Sequence, residues 1–356
     1  MEGNISMDIK VNELNDKNLM SIRHTHIKKK FTFLIIILAI VFITSFIVGR
    51  YPLTIEQLLD FFIIRHFDVS KEIPDVVETV IMNLRLPRIL AAVLVGSSLA
   101  ASGAAYQGIF KNPLASPDIL GASAGAAFGA SLAIYFSFSH YGIQLSAFIF
   151  GIISVLLAFI ISQRIRTDSA VALVLTGMLV STLFSSAISL IKYVADPFDK
   201  LPAITFWLMG SLSGMGIRSV KFACIPIFIS LTVLYFMRWQ INVLSLGDEE
   251  AKTLGVNTEG SRLIIIICST ILTATSVCIS GVIGWIGLVI PNLARLLVGS
   301  NYVYLLPATM VMGGTFLLVV DCVSRGLFPV EVPLGILTSF IGAPFFIILL
   351  YKGWRE

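Results

Sequence analysis

The chain has 356 residues, of which 56% are hydrophobic and 13% charged, and its formal net charge is +4. A soluble domain carries roughly 25% charged residues, so this composition excludes an ordinary soluble protein and indicates an integral membrane protein. The apolar runs are about 20 residues long and do not alternate with polar residues, which predicts transmembrane helices rather than barrel strands. The small positive charge gives no reason to expect nucleic acid as a partner.

The chain is predicted to begin with a basic tail over residues 1–30, which we expect to be cytoplasmic and disordered. Residues 31–352 are predicted to form a single transmembrane domain of about ten helices, with both termini in the cytoplasm. Nine spans are expected near 31–48, 87–107, 119–136, 143–161, 170–191, 222–237, 263–279, 303–320 and 334–351, and a short or broken eighth span reaches Gly299.

Two patterns refine this layout. Ile55, Leu58, Leu59, Phe62 and Ile63 fall at helical spacing between the first two spans, which predicts an amphipathic helix at the membrane surface. Small residues fill the second span, and glycine recurs at every fourth position early in the third span. Such rows allow helix backbones to approach closely in lipid.

Rows of glycine occur in the third span and ahead of the eighth span. The row in the third span consists of Gly121, Gly125 and Gly129. Ahead of the eighth span, Gly281, Gly284 and Gly287 interrupt an apolar run. They follow no strand, so a packing or hinge role is favoured over a nucleotide site.

The longest polar interruption in the second half of the chain is residues 244–262, between the sixth and seventh spans. Three acidic residues follow Gly247, an apolar pair recurs at helical spacing, and Gly255 closes the pattern, which predicts a short helix. The charge distribution between loops places this segment in the cytoplasm. It is either an ordinary solvated loop or a surface on which another protein pushes.

The predicted spans carry almost no charge, although ion-coupled carriers usually need ionisable groups near the middle of the membrane. The chain also has no Gly-Lys dipeptide, so it has no P-loop for ATP. Energy for transport is therefore expected from a separate subunit. A secondary transporter and a membrane-embedded enzyme are the alternatives. The enzyme is disfavoured because no HExxH motif, carboxylate pair or nucleophile–base set is evident, and the four cysteines lack metal-binding spacing.

Arginines flank the predicted outer ends of two spans. Arg85 and Arg88 lie at the start of the second span, and Arg325 lies four residues after Asp321 at the end of the ninth. One interpretation is interfacial anchoring, with Arg325 paired to Asp321 across one helical turn. The other is a set of cations that receives carboxylates of an external partner.

The fifth span carries uncharged polar side chains that suit a wide and inert path. They are Thr176, Met178, Ser181, Thr182 and Ser185. Hydrogen bonding between helices explains the hydroxyls equally well, so both interpretations stay open.

At the level of motifs, the chain resembles the permease subunits of type II ABC importers, the FecCD-like family that imports iron-siderophores, haem and cobalamin. The matching segments cover residues 50–351 in the family's order. They are Arg85–Arg88, Gly103–Gln107, Asn112–Ala115, Leu120–Gly121, Trp207–Ser211, Leu244–Ala251, Leu254–Val256, Gly287–Pro291, Glu331–Gly335 and Gly342–Phe345.

The resemblance implies a homodimer in the cytoplasmic membrane, with the fifth span lining a path along the twofold axis. Two ATPase subunits, which hold ATP and Mg²⁺, would grip Leu246–Gly255 from the cytoplasm, within residues 244–262, which we call the coupling segment. This chain itself carries no cofactor. An external binding protein would place glutamates on Arg85, Arg88 and Arg325. The implied coupling residues are Leu246, Gly247, Asp248, Glu249, Glu250, Ala251, Leu254 and Gly255.

Two positions depart from the family pattern. Trp285 stands where phenylalanine is common, and Asn292 stands where histidine is common. No residue of the chain decides which chelate is carried, so the resemblance leaves the substrate open.

Overall fold

The computed structural model describes residues 26–49, 51, 53–67, 74–165, 169–326 and 330–353. Within these ranges all regular structure is helical. The tail predicted over residues 1–30 lies almost entirely outside the described residues, so its predicted disorder stays a prediction.

Fourteen helices follow one another in the described residues. They are α1 (26–45), α2 (Ile55–Phe67), α3 (Asp75–Ile109), α4 (Ala122–Tyr135), α5 (His140–Ser162), α6 (Ser169–Val194), α7 (Lys200–Leu208), α8 (Ile217–Phe236), α9 (Arg238–Leu244), α10 (Asp248–Thr253), α11 (Thr258–Ser280), α12 (Ile286–Val298), α13 (Tyr302–Gly326) and α14 (Leu334–Gly353). A 3₁₀ turn, Pro117–Leu120, precedes α4.

Each predicted span coincides with one of these helices. Six of them, α3, α5, α6, α8, α11 and α13, are long and apolar enough to cross a membrane. Shorter apolar helices form the third, eighth and tenth spans. The all-helical, polytopic class predicted from the sequence is therefore confirmed.

Helices α3 and α11 occupy the centre of the bundle, since 78% of the most apolar window of each is buried. The corresponding share is 33% in α5, α6 and α8, which lie at the periphery. Glycine permits the closest central contacts. A Cβ at Gly96 would clash with the carbonyl group of Gly313 in α13, and one at Gly103 would clash with that of Gly287 in α12.

The glycine row of the third span packs as predicted. Gly125 and Gly129 lie against the backbone oxygens of Phe150 and Ser146 in α5, leaving no room for a side chain. Gly121 precedes α4 with a φ of 83°, in the left-handed region that favours glycine.

Three elements differ from expectation or add to it. Helix α2 forms where predicted, but its described buried side chains are Leu58 and Phe61, whereas Ile55 and Leu59 are exposed; the side chains of Phe62 and Ile63 lie outside the described residues. Helix α7 occupies a stretch that the sequence left without a clear assignment. The predicted break before the eighth span is present between Ser280 and Ile286.

Side-chain contacts define two ends of the bundle. At one end, α10 lies near the end of α3, the start of α11 and the junction of α12 and α13. Lys30 of α1 bonds to the carbonyl oxygen of Leu297 at this same end. At the opposite end, arginines of α3 and α13 contact the segment that follows α1. We call these the α10 end and the arginine end.

Candidate coupling and docking sites

The polar interruption forms the predicted short helix, α10. Gly247 precedes it, and the three acidic residues occupy its first turn. After the helix, Gly255 adopts a φ of 78° and donates its N–H to Lys252 O at 2.9 Å, while Val256 N–H donates to Ala251 O at 3.0 Å. This paired arrangement is a Schellman motif, which explains why a glycine closes the segment.

Helix α10 is fixed to the bundle by one apolar contact and by two cations that meet Asp248. Ala251 is fully buried beneath it. Arg262 of α11 donates to both carboxylate oxygens of Asp248, at 2.8 and 3.0 Å. Lys111, just past the end of α3, lies 3.9 Å from the same carboxylate. The segment is thus a held structural element rather than a loose loop.

The outer surface of this segment is open and partly apolar. Leu246 is 62% exposed and Leu254 is 55% exposed. Glu249 and Glu250 are exposed between them, and Glu249 pairs with the exposed Lys252 at 3.2 Å. Two exposed leucines beside two acidic groups make a surface suited to a protein partner.

A second set of contacts ties the neighbouring loop to α12. Asn292 donates to the carbonyl oxygen of Pro113 at 3.1 Å and also accepts from Arg295 at 2.9 Å. Arg295 in turn donates to the hydroxyl oxygen of Tyr302 at 3.1 Å. The departure at Asn292 therefore belongs to a loop–helix contact, and a histidine is not needed for it.

At the arginine end, the three predicted docking arginines are buried, with exposures of 5, 8 and 6% for Arg85, Arg88 and Arg325. Asp321 is fully buried between two of them: Arg88 Nε donates to one carboxylate oxygen at 2.8 Å, and Arg325 Nε lies 3.0 Å from the other. Arg88 also bonds to both carboxylate oxygens of Glu331, at 3.0 and 3.1 Å.

The same arginines hold the segment after α1. Arg85 donates to the carbonyl oxygens of Phe46 and Tyr51. Arg325 donates to Val48 O at 3.1 Å and to the hydroxyl of Ser45 at 2.8 Å. Four separate stretches of the chain therefore meet in one network of ion pairs and hydrogen bonds. We call its charged members the arginine clasp: Arg85, Arg88, Asp321, Arg325 and Glu331.

The clasp changes how the docking prediction stands. The exposed rim of cations that we expected is not what the structure contains, because the guanidinium groups already bond to oxygens of their own chain. The predicted Arg325–Asp321 pair across one turn is present. The partnership of Arg88 with Glu331, 243 residues away, had no signal in the sequence. That a partner's carboxylates dock on these arginines stays a prediction. The burial of the three arginine side chains does not favour it.

The candidate path residues of α6 differ in exposure. Thr176 is buried and donates to Ala158 O of α5 at 3.0 Å, so it joins two helices and does not face an open surface. Ser181 is half-buried against Gly121. Met178, Thr182 and Ser185 are exposed on one stripe of α6 and make no packing contact with another helix that would cover them.

The break between α11 and α12 borders a cavity of about 700 Å³. Trp285 lines it with a φ of 72°, a left-handed conformation that is unfavourable for a bulky residue. Its ring lies 6.3 Å from that of Phe346, centroid to centroid, and its Cβ leaves no room for a side chain at Gly342. The tryptophan that departs from the family pattern therefore packs on α14 beside the break.

One carboxylate that the sequence analysis did not single out is half-buried ahead of α4. Asp118 belongs to the 3₁₀ turn Pro117–Leu120, and Ser123 Oγ donates to it. Pro117 of the same turn packs against Gly287, well inside the bundle. Among the described residues, no group of three or more His, Cys, Asp or Glu side chains is arranged to hold a metal ion.

Comparison with known proteins places this geometry in a family. Residues 37–352 match the model of the FecCD transport family. The molybdate import system permease protein MolB of Haemophilus influenzae is 44% identical over 319 residues, which cover 90% of this chain and 94% of that protein. The hemin transport system permease protein HmuU of Yersinia pestis is 38% identical over 279 residues, 76% of this chain and 83% of that protein.

A solved structure supports the same conclusion. The inward-facing conformation of a metal-chelate type ABC transporter superposes with a TM-score of 0.81 and 43% sequence identity, covering 91% of this chain and 99% of that one. The similarity extends over nearly the whole chain and is not confined to one motif. The chain therefore belongs to the FecCD transport family and is a permease subunit of an ABC transporter.

Proposed function

We propose that this chain forms the translocation path of an ATP-driven importer for a metal chelate, such as an iron-siderophore, haem or cobalamin. A separate ATPase, which binds ATP and Mg²⁺, supplies the energy through α10, and an external binding protein delivers the substrate. The observation that carries the proposal is the match to the FecCD model over residues 37–352. The held but outwardly exposed α10 supplies a surface through which force can be transmitted.

Molybdate is a second candidate substrate. It is favoured by the 44% identity to the molybdate permease of Haemophilus influenzae. The exposed side chains of α6, with their thioether and hydroxyl groups, carry no charge that would select an oxyanion over a chelate. We infer that selection occurs mainly in the binding protein, so the substrate must be determined with that protein present.

The test is uptake into proteoliposomes that contain the permease, its ATPase and its binding protein. Radiolabelled molybdate, haem, cobalamin and a ferric siderophore would be supplied in parallel, with and without ATP. We expect accumulation of one substrate only when ATP is present, unchanged by an ionophore that collapses ion gradients. Accumulation driven by an ion gradient without ATP would refute the proposal, and Asp118→Asn would then show whether this half-buried carboxylate carries the ion.

The proposal includes a homodimer whose path is lined by the exposed stripe of α6. In such a dimer the stripes of the two copies face each other across the path. Cysteine introduced at Met178, Thr182 or Ser185 should therefore cross-link two copies at those positions where the two Cα atoms lie within about 7 Å, the limit for a disulfide. The background would be Cys224→Ser, because Cys224 is exposed. Phe228→Cys on α8, where the side chain is 69% exposed, is the control and should stay monomeric. Absence of cross-linking at all three positions would contradict this arrangement.

A further inference from the structure

The break between α11 and α12 holds a strained aromatic residue to which the proposed transport cycle gives no role. Ile286 N–H donates to Gly284 O at 3.0 Å and closes a three-residue γ-turn, with Trp285 at its centre at φ 72° and ψ −30°. This type of turn is rare and strained, and a bulky side chain makes it less favourable still. Such strain persists where the surrounding structure fixes it, often beside a ligand site, so Trp285 is a candidate for a functional role.

The indole of Trp285 is held by α14. A Cβ at Gly342 would lie only 2.6 Å from the Cβ of Trp285, and the indole ring lies 6.3 Å from the ring of Phe346 at an interplanar angle of 60°. Trp285 is nevertheless only half-buried, and it lines the cavity of about 700 Å³ beside the break. The part of the indole that α14 leaves uncovered is therefore presented to this cavity.

The cavity has the size of a small-molecule site, for which volumes of roughly 300–1,000 Å³ are typical. Its lining is mostly apolar and includes a second aromatic side chain, Phe340 of α14, which is 74% exposed. None of the described residues that line it is charged. Besides the indole N–H, the lining side chain that can donate a hydrogen bond is Ser339, and its hydroxyl already donates to Gly335 O at 2.7 Å.

These walls do not suit a small oxyanion such as molybdate. An anion that leaves water needs cationic or N–H partners, because an unpaired buried charge is costly. The N–H groups at the start of α14 are already occupied, since Leu334 donates to Gly210 O at 2.9 Å and Gly335 donates to Met209 O at 3.1 Å. A flat, uncharged aromatic surface, by contrast, packs favourably against exposed indole and phenyl rings.

We propose that Trp285 is a substrate-contacting residue and that this cavity receives the flat aromatic face of a macrocyclic chelate such as haem. The macrocycle packs on Trp285 and Phe340, and its polar edge stays at the open side of the cavity. The inference rests on the proposed function, because it selects one class among the substrates proposed for this importer: ring chelates are favoured over molybdate and over chelates without aromatic rings. A phenylalanine at position 285 would offer a smaller surface, so Trp285 sets the strength of this preference.

The experiment is a haem titration of the purified full-length permease in detergent, followed by the Soret absorbance and corrected for detergent alone. We expect saturable binding to the wild type, about tenfold weaker binding to Trp285→Leu, and an intermediate loss in Trp285→Phe. Phenylalanine is common at this position of the family, so Trp285→Phe decides the question if the leucine variant does not fold. Trp239→Leu is the matched control, because Trp239 lies on α9 outside the cavity and is 50% exposed, and haem affinity should not change.

Competition gives the second readout. Molybdate and an aliphatic ferric hydroxamate siderophore, which has no aromatic ring, should not displace haem. Equal haem affinity in the wild type and the folded Trp285 variants, binding that does not saturate, or displacement by either competitor would overturn the assignment. The titration needs neither ATPase nor binding protein. Failure of ATP-driven uptake therefore refutes the proposed function, whereas unchanged haem affinity in the Trp285 variants refutes this inference alone.

Discussion

Replacing Arg88 with leucine is expected to destabilise the folded permease by about 1.5–3 kcal/mol, because the variant removes charge-assisted hydrogen bonds to the buried Asp321 and to the half-buried Glu331. Asp321 is fully buried and Arg88 bonds to it at 2.8 Å. Arg325 alone would then neutralise Asp321, and Glu331 would lose its ion pair. The measurement is the midpoint of thermal unfolding of the purified permease in detergent, followed by fluorescence or by loss of monodisperse protein.

The matched control is Arg218→Leu, which removes an exposed arginine at the start of α8 and should shift the midpoint little. Arg88→Lys should fall between the two, because one ammonium keeps the charge but lacks the planar fork that reaches Asp321 and Glu331 together. A midpoint for Arg88→Leu equal to that of Arg218→Leu would mean that the clasp does not stabilise the fold.

This result also bears on docking. Reversing Arg88 to glutamate would place a third carboxylate beside Asp321 and Glu331, so the variant is expected to misfold before docking is measured. Glu331→Gln is the more informative variant, because it loosens one partner of Arg88 and keeps the guanidinium. Tighter association with the binding protein in Glu331→Gln would support direct docking on Arg88, and no change would leave the clasp with a structural role.

Local features of this fold were predictable because their causes are local. Unbroken apolar runs predict the six helices that are long and apolar enough to cross a membrane, since a helix satisfies every backbone group within one segment. Three acids followed by a glycine give α10, whose N-terminal charges and C-terminal turn depend on neighbours a few residues away. The row Gly121–Gly129 gives close packing because the absence of Cβ atoms is visible in the sequence.

The unpredicted features depend on contacts between distant residues. Nothing in the sequence around Arg88 indicates that Glu331 neutralises it, and Lys111 and Arg262 gave no sign that they hold Asp248. The environment of the hydroxyl groups of α6 could not be predicted from the sequence for the same reason. Thr176 and Thr182 are alike in sequence context, and only the position of Ala158 O of α5 decides that the first is buried and the second is open.

Reversing the charges of Glu249 and Glu250 to lysine is expected to weaken binding of the ATPase at least tenfold, about 1.4 kcal/mol, while the permease stays folded. Both side chains are exposed, and the pair of Glu249 with Lys252 is open to solvent, so its loss costs little. Asp248 is left intact, because its ion pair with Arg262 holds α10 to α11. The measurements are the yield of the permease–ATPase complex and the unfolding midpoint of the permease alone.

Two comparisons separate lost contact from a damaged helix. Lysine in the first turn also opposes the helix dipole, so Glu249→Gln with Glu250→Gln removes charge without adding repulsion and should give an intermediate loss. Asp199→Lys reverses an exposed acid that pairs with a neighbouring lysine, at 3.3 Å, outside the coupling segment, and should leave the complex intact. Full complex yield and ATP-driven transport in the double lysine variant would mean that the ATPase does not engage the acidic face of α10, and the exposed Leu246 and Leu254 would then be the contacts to replace.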